Sequence, residues 1–356
     1  MRFPEGGKNN QILRSFWRIS IILLILLAGC SKVPLPPEVT EPFIRENIKV
    51  YFTGPGHNPE EIVKAFVDSI DSARQSVDMA MYNINLPEVE QALIHAFKRG
   101  VWVRLVMESD AMDGNVPRSL EETGIDIVGD GKESLMHNKF IVIDDQQVWT
   151  GSLNLTDNGI TEDRNNFIRI DSKKVAERYK KEFEEMFTYK QFGSSSPSGE
   201  YSENIIEVAG IPMEIYFSPD DNVMQKILNV VNDAGKQIDF LAYSFTYDSL
   251  AEAVIQKAQR GVRVSGVFDS DMVASNTGTD FEWLVSTGLP ICMDGEVGLM
   301  HDKVIVVDGE VVITGSYNYT NSAEKYNDEN IVILHDPALA NLYLDEIKLI
   351  TNNCTH

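Results

Sequence analysis

Two short segments of the chain carry the same reactive side chains at the same spacing. His137 is followed two residues later by Lys139, and His301 is followed in the same way by Lys303. Each segment continues with an aspartate, a glycine, a serine and an asparagine at matching intervals: Asp144, Gly151, Ser152 and Asn154, and Asp308, Gly315, Ser316 and Asn318. At average residue usage, six fixed types match by chance on the order of 10⁻⁸ per window, so the spacing indicates a shared function.

Each histidine and its lysine are predicted to lie on one face of a β-strand. Residues 140–143 and 304–307 are rich in β-branched and aromatic types, which favour strands. Because side chains alternate along a strand, residues two apart point the same way. After a short turn the chain returns through residues 148–150 or 312–314 and brings the serine and asparagine alongside. An imidazole, an ammonium, a hydroxyl and an amide on one surface form a site for an anion, and phosphate fits these donors best.

The two segments are part of an internal repeat that covers most of the chain. Tyr82 and Tyr243 lie in similar sequences, and the interval between them is nearly the interval between His137 and His301. The repeat predicts an N-terminal half over residues 47–190 and a C-terminal half over residues 212–352. A Ser-, Gly- and Pro-rich stretch between them indicates an exposed linker, residues 191–211. Helical and strand-like segments alternate in both halves, which predicts a sheet covered by helices.

Both segments resemble the HKD motif of the phospholipase D superfamily, and two copies in one chain resemble its single-chain members. The resemblance implies an α/β fold of two pseudo-symmetric halves, each a mixed sheet flanked by helices, with the active site at the seam between them. It implies no metal and no other cofactor. One histidine would attack phosphorus and form a phosphohistidine, and the other would protonate the leaving alcohol and then activate water.

The resemblance also assigns roles to the remaining motif residues. The expected catalytic set is His137, Lys139, Asp144, His301, Lys303, Asp308 and Glu329. The expected phosphate-binding set is Ser152, Asn154, Ser316 and Asn318, and the two lysines are expected to contact phosphate oxygens as well. For the two aspartates, a structural role in holding the turn or a lysine is the alternative.

A carboxylate some way past each motif is expected to orient its histidine. In the second half Glu329 follows His301, and the same interval counted from His137 reaches Asn165 in the first half. An asparagine carbonyl accepts a ring N–H but does not stabilise an imidazolium as a carboxylate does. The asymmetry predicts a neutral His137 as nucleophile and a protonated His301, paired with Glu329, as the acid. One of the acidic residues at 162–163 would replace Asn165 in this role if the loop bends differently.

Composition separates the candidate substrates. The chain has 31 Lys+Arg and 54 Asp+Glu, a formal net charge of -23. Duplex nucleic acid is not expected as a partner, because its affinity for proteins comes largely from cationic side chains. A phospholipid phosphodiester, hydrolysed in the manner of a phospholipase D, is the first candidate substrate. A nuclease or oligonucleotide phosphodiesterase is the alternative, and a non-catalytic binding lipoprotein is a third class. A monomer is expected.

Several other conspicuous residues are expected to be structural. This group contains the histidines outside the motifs and two tyrosines: His57, His95, His335, His356, Tyr82 and Tyr243. Asp110 and Asp271 follow strand-like runs and would either line the cleft or cap the next element. Pairing of Cys292 with Cys354 is not decided by the sequence.

The N-terminus has the features of a bacterial lipoprotein precursor. Arg14 and Arg18 precede an apolar run over residues 19–27, which is too short to span a bilayer comfortably. The run ends in Leu-Ala-Gly before Cys30, which resembles a lipobox. We therefore expect residues 1–29 to be a signal peptide, Cys30 to be lipidated and the Pro-rich residues 30–46 to be a tether. The expected location is the cell envelope, lipid-anchored outside the cytoplasm; an ordinary signal peptide or an uncleaved anchor is the alternative.

The lipobox interpretation predicts the behaviour of Cys30→Ser. This variant should lose incorporation of labelled fatty acid, because the thiol that carries the acyl groups is gone, and it should be released or misprocessed. Metabolic labelling followed by membrane fractionation measures both effects. Incorporation at the wild-type level would show that Cys30 is not the lipidated residue.

Overall fold

The computed structural model describes residues 43–45, 47–195, 205–295 and 298–354. The predicted signal peptide, Cys30 and most of the predicted tether lie outside these residues. Within the described part, each half of the repeat forms one eight-stranded mixed sheet. None of the described helices is both long and apolar enough to cross a membrane.

In the N-terminal half, the described strands are β1 (Phe43–Arg45), β2 (Ile48–Phe52), β3 (Ser76–Met81), β4 (Trp102–Met107), β5 (Asp126–Gly129), β6 (Lys139–Ile143), β7 (Gln147–Gly151) and β8 (Asn166–Asp171). Its α-helices are α1 (Pro59–Ser72), α2 (Pro87–Lys98), α3 (Asn115–Thr123), α4 (Asp157–Thr161) and α5 (Lys173–Phe187). The sheet order is β1-β2-β8-β7-β6-β3-β4-β5. Strands β3, β4 and β5 are parallel to one another, and the other neighbouring strands pair antiparallel.

In the C-terminal half, the described strands are β9 (Ile205–Val208), β10 (Ile211–Ser218), β11 (Gln237–Ala242), β12 (Arg263–Phe268), β13 (Ile291–Met293), β14 (Lys303–Val307), β15 (Val311–Gly315) and β16 (Glu329–His335). Its α-helices are α6 (Val223–Asp233), α7 (Asp248–Gln259), α8 (Ser270–Ser275), α9 (Phe281–Ser286), α10 (Asn321–Lys325) and α11 (Pro337–Thr351). The sheet order is β13-β12-β11-β14-β15-β16-β10-β9, with β11, β12 and β13 parallel. The order of the first sheet is therefore repeated, which confirms the predicted pair of α/β halves.

The two halves share a central apolar core. Helices α1 and α2 cover the outer face of the first sheet, and α6 and α7 cover the outer face of the second. The inner faces meet through α5 and α11, whose apolar side chains join one cluster with strands of both sheets. The Phe217 ring of the second half, for example, lies 5.3 Å from Tyr179 and 6.3 Å from Phe140 of the first. Burial of this shared face stabilises the arrangement in which the inner edges of the two sheets meet.

The ends of the halves differ from the predicted boundaries. Strand β1 starts at Phe43, inside the predicted tether, and pairs antiparallel with β2. Strand β9 lies inside the predicted linker and pairs with β10, while Phe192 is only 2% exposed. The predicted linker of residues 191–211 was thus too long, because apolar residues near both of its ends are used by the core and the sheet edge.

Asp144 and Asp308 hold the turns that follow β6 and β14. The Asp144 carboxylate accepts the backbone N–H groups of residues 74, 75 and 76 at 2.9, 2.7 and 3.0 Å. Asp308 accepts those of residues 235, 236 and 237 at 2.8, 2.7 and 2.9 Å. A strand rises about 3.3 Å per residue, so each aspartate is roughly 20 Å from its motif histidine. Their assignment to the catalytic set is therefore corrected: they tie the start of β3 and of β11 to the motif strands.

Candidate active site

The two motif histidines lie at the seam, each two residues before the strand that begins at its lysine, and not on the strand itself as predicted. The His137 backbone N–H donates to the carbonyl of Asp328 at 2.9 Å, and that of His301 donates to the carbonyl of Arg164 at 2.9 Å. Short parallel bridges, Met136 with Asp328 and Arg164 with Met300, complete these contacts. Each motif segment is thus hydrogen-bonded to the segment that precedes the last strand of the other half.

This exchange pairs each histidine with an orienting residue of the opposite half. His137 Nδ1 lies 2.7 Å from Glu329 Oε2, and His301 Nδ1 lies 2.8 Å from Asn165 Oδ1. The predicted pairing of Glu329 with His301 inside one half is wrong, because the bridges at the seam place Glu329 beside His137. With Nδ1–H donated to a fixed acceptor, each ring keeps Nε2 for chemistry.

Both imidazoles are poised in their neutral form. Each residue is 6% exposed. Burial lowers the pKa of His137 well below its ordinary value, and the nearby cations Lys139 and Lys303 lower it further. Burial likewise lowers the pKa of His301, and the neighbouring Lys303, Lys139 and His137 lower it further. Because both histidines are affected by both lysines, the four side chains form one site rather than two.

The motif lysines are buried and held in place by the histidine backbone. Lys139 Nζ donates to the His137 carbonyl at 2.8 Å, and Lys303 Nζ donates to the His301 carbonyl at 2.5 Å. Burial lowers the pKa of Lys303 to about 7 and that of Lys139 well below its ordinary value. An anion bound here would raise both pKa values by supplying negative charge next to the ammonium groups. The site is therefore electrostatically suited to a phosphate oxygen.

Two tyrosines complete the walls of the site. Tyr82 packs edge-on against His137 with ring centroids 5.1 Å apart, and Tyr243 packs in the same way against His301 at 4.7 Å. The ammonium groups of Lys139 and Lys303 lie 5.0 and 4.5 Å from the same two ring centroids. Both tyrosines are half-buried, so the expectation that they are core residues was wrong. Their repetition at the same offset was the signal that marked them.

The motif serines position the orienting residues instead of facing substrate. Ser152 Oγ donates to Asn165 Oδ1 at 3.0 Å, and Ser316 Oγ hydrogen-bonds to Glu329. The Ser152 hydroxyl also accepts the backbone N–H of Asn166 at 3.1 Å, and the Ser316 hydroxyl accepts that of Asn330 at 3.0 Å. Both serines are fully buried. Their assignment to the phosphate-binding set is corrected: each holds the residue that orients the opposite histidine.

The motif asparagines retain a predicted role in binding phosphate. The side-chain oxygens of Asn154 and Asn318 are buried and have no hydrogen-bond partner within the described residues. A buried amide oxygen without a donor is costly, and a bound donor would relieve that cost, while the amide N–H groups are the donors for a phosphate oxygen. Phosphate contact by these two residues stays a prediction.

A buried network of polar side chains fixes the position of one half relative to the other at the seam. The residue between the histidine and the lysine of each motif accepts a side-chain amide N–H from the opposite half. Asp302 accepts from Asn166 at 2.6 Å, and Asn138 accepts from Asn330 at 2.8 Å. Threonines from the other half bind the same amides, Thr150 to Asn330 at 2.7 Å and Thr314 to Asn166 at 2.9 Å. Because these groups are buried, a shift of one half along the other would leave several of them unpaired, which is strongly unfavourable.

Acidic residues next to the motifs cap the strand starts. Glu108 accepts the backbone N–H of Met136, and Asp269 accepts that of Met300, each at 2.9 Å. Asp110 and Asp271, the residues expected to line the cleft or cap an element, lie two positions later. The capping role therefore belongs to the buried acids Glu108 and Asp269 at the motif strands, which sequence reasoning did not select.

Comparison with known proteins is consistent with this geometry. Residues 66–187 and 227–350 each match the family model described as "Cardiolipin synthase, PLD-like domain". A mitochondrial cardiolipin hydrolase from Xenopus tropicalis is 36% identical over 128 residues, which are 36% of this chain and 60% of that protein. A phospholipase D from Rickettsia felis is 31% identical over 162 residues, which are 46% of this chain and 80% of that protein.

The whole fold has a solved counterpart. The phosphatidylserine synthase structure from Haemophilus influenzae Rd KW20 superimposes with a TM-score of 0.62 over 86% of this chain and 87% of that one. The two sequences are 12% identical, so this likeness concerns the fold alone. Two family-model matches, one to each half and each containing one motif, account for most of the described residues. The chain therefore belongs to the phospholipase D superfamily and contains two copies of its PLD-like domain.

Proposed function

We propose that this protein is a phosphodiesterase of the phospholipase D type that hydrolyses a phospholipid phosphodiester through a phosphohistidine. The observation that carries the proposal is the single buried site at the seam, where two imidazoles and two ammonium groups face one another and one imidazole is paired with a carboxylate. Such a site binds one anionic phosphorus centre and offers a nucleophile on one side and a proton donor on the other.

His137 is the proposed nucleophile. Its Nδ1–H is donated to Glu329, which leaves the Nε2 lone pair for attack on phosphorus. When the N–P bond forms, the imidazole becomes cationic and stays so for the life of the intermediate. The Glu329 carboxylate stabilises that charge, while the lysines neutralise the phosphate oxygens. The nucleophile is the one predicted from sequence, but the reason is different, since the carboxylate serves the intermediate rather than the acid.

His301 is the proposed acid and base. Once the anionic phosphodiester is bound, His301 takes up a proton at Nε2 and becomes an imidazolium. It donates this proton to the leaving alcohol oxygen as the P–O bond breaks. The neutral ring then takes a proton from water, whose oxygen attacks phosphorus and breaks the N–P bond. This releases phosphatidic acid and regenerates His137. Asn165 fixes the His301 ring but adds no charge, so the ring gives up its proton more readily than a carboxylate-paired imidazole would.

A phospholipid substrate is supported by relatives and by charge. The Xenopus relative is named a cardiolipin hydrolase and the Rickettsia relative a phospholipase D. The chain covers 60% of the length of the first of these. The net charge of -23 opposes binding to duplex nucleic acid.

The proposed location is the cell envelope, with the protein held at a membrane through Cys30. Cys292 and Cys354 form a disulfide that joins β13 to the residues after α11. Structural disulfides are typical of proteins outside the reducing cytoplasm, which supports this location. The third cysteine of the chain is Cys30 itself. A lipid anchor would keep the site close to a phospholipid substrate.

The substrate proposal is tested by incubation in EDTA with four substrates: phosphatidylcholine, cardiolipin, single-stranded DNA and bis(p-nitrophenyl) phosphate. We expect release of phosphatidic acid, or of phosphatidylglycerol plus phosphatidic acid from cardiolipin, because the reacting groups are side chains of this chain. Lys139→Ala and Lys303→Ala should each lower turnover by on the order of 10²–10³, since each removes a donor from one transition state. Cleavage of DNA without cleavage of lipid would favour the nuclease alternative, and no turnover of any substrate would favour a binding protein.

The assignment of the nucleophile is tested by trapping the intermediate. With a p-nitrophenyl phosphodiester, whose leaving group needs no proton, His301→Ala should still form an acid-labile phosphoenzyme that accumulates because water is not activated. His137→Ala should form none. Rapid quench and peptide mapping locate the label. Phosphate on His301 in the wild-type protein would reverse the two roles.

The exchanged pairing predicts a specific difference in pH dependence. Asn165→Asp should move the alkaline limb of the kcat/KM profile to higher pH, because a carboxylate beside His301 raises the pKa of that imidazole. Glu329→Gln should lower turnover by on the order of 10²–10⁴ and leave that limb in place, because its partner is His137. The pairing within one half makes the opposite prediction: Glu329→Gln would then shift the alkaline limb to lower pH.

A further inference from the structure

A second group of acidic side chains meets away from the histidines, where α5 faces the loop after β10. Glu182 and Glu185 of α5 and Asp220 of the loop each place a carboxylate oxygen within 4.8 Å of the others. Glu182 is 2% exposed and Glu185 is 6% exposed, while Asp220 is half-buried. Three carboxylates from both halves therefore share one small, partly enclosed space.

Glu182 has no partner that would balance its charge. It forms neither a hydrogen bond nor an ion pair with any described residue, although it is almost completely buried. Burial raises the pKa of Glu182 well above its ordinary value, and Asp220, Glu185 and Asp328 raise it further. Burial and Glu185 raise the pKa of Asp220 to about 7. A buried carboxylate facing other carboxylates is unfavourable unless it takes up a proton or a cation.

The internal repeat shows how the equivalent position is balanced in the other half. The interval that separates the two motif histidines, counted on from Glu182 of α5, reaches Glu346 of α11. Glu346 binds Arg164 Nη1 at 3.0 Å and His57 Nε2 at 2.9 Å. The same interval counted on from Arg164 reaches Asp328. The same fold position thus has an arginine and a histidine as partners in one half and carboxylates in the other.

The loops before α1 and α6 make the same contrast. The loop before α1 supplies His57 to Glu346, whereas the loop before α6 supplies Asp220 next to Glu182 and also contains Asp221. By the same interval, His57 corresponds to Asp221 and Arg164 to Asp328, so carboxylates occupy the positions around Glu182 that a histidine and an arginine occupy around Glu346. A metal cation bound by these carboxylate oxygens would neutralise their negative charge.

Other charged groups around the cluster are engaged elsewhere or at its rim. Lys181 Nζ lies 3.8 Å from Glu185 Oε1 on the outer side, with its side chain 48% exposed. Asp221 accepts the backbone N–H of Phe217 at 2.9 Å, and Arg178 lowers its pKa against the larger effect of burial. Asp328 accepts the backbone N–H of Gly193 at 2.6 Å. None of these contacts brings a described cationic side chain to Glu182.

We propose that Glu182, Glu185 and Asp220 bind a divalent cation, for which Ca²⁺ is the best match. Carboxylate oxygens are the ligands of hard cations, and Ca²⁺ accepts irregular geometry with water completing its coordination. The ion would join α5 of the first half to the β10 loop of the second. It would also lie near Asp328, whose carbonyl fixes the His137 backbone. Its role is structural, and it takes no part in the phosphodiester chemistry.

Calcium binding to the full-length chain is measured by titration calorimetry and thermal unfolding after removal of metals with a chelating resin. We expect one Ca²⁺ per chain and a rise in Tm of about 2–5 °C in about 10 mM CaCl₂, the size given by millimolar to submillimolar affinity. Glu182→Gln should lose both the heat and the shift. Glu177→Gln is the matched control, since Glu177 lies on the same helix and is 60% exposed, and it should behave as the wild type.

Two results would overturn the proposal. The first is the absence of calcium binding in the wild-type protein. The second is an equal response of Glu182→Gln and Glu177→Gln, which would place the ion elsewhere.

The pH dependence separates cation binding from simple protonation of the cluster. Protons compete with the metal for the same oxygens. The calcium-induced rise in Tm should therefore be larger at pH 8 than at pH 6 in the wild type. An equal or smaller shift at pH 8 would contradict binding at these carboxylates.

Discussion

The reciprocal hydrogen bonds at the seam are the constraint on which the site depends. Each motif segment donates a backbone N–H to the strand entry of the other half, His137 to Asp328 and His301 to Arg164. The residue that follows each of these carbonyls therefore lies next to the histidine of the other half. For this reason Glu329 contacts His137 and Asn165 contacts His301. Neither half contains a complete site, since each histidine is oriented by the other half. The shared core of α5 and α11 holds the two sheets at the distance that these bonds require.

Burial at the seam determines which charge states of the lysines and histidines are favoured. Two lysines and two histidines lie together in a region from which water is largely excluded, so their charged forms are disfavoured. Binding of an anionic phosphodiester reverses that balance, because it supplies the missing negative charge. Donors that are already fixed, such as Lys139 and Lys303 on the histidine carbonyls, need little reorganisation when charge develops in the transition state. The same low polarity explains why burial raises the pKa of Glu329 to about 7, although Lys139 and Lys303 oppose the rise.

The repeat keeps the backbone and changes the charges. The sheets have the same strand order, and the motif strands start with the same contacts. At equivalent positions, however, Glu329 corresponds to Asn165 and Asp302 corresponds to Asn138. The balanced Glu346 corresponds to the unbalanced Glu182. A nucleophile and an acid need different surroundings, and the first of these differences supplies them within a nearly symmetric frame.

The sequence by itself determined the reacting groups and the class of fold. The spacing of the motifs predicted that His137 lies close to Lys139 and His301 close to Lys303, and the β-branched residues that follow predicted the strands that begin at the two lysines. Periodicity and the internal repeat likewise determined the two α/β halves. Only the tertiary structure decided which partner each residue has. His137 and Glu329 are 192 positions apart, and His301 and Asn165 are 136 apart, and nothing local specifies that the halves exchange these residues. For the same reason Asp144 and Ser152, which belong to the motif by spacing, serve a turn and an orienting amide: a residue's role depends on which backbone and side-chain groups the packed halves bring to it.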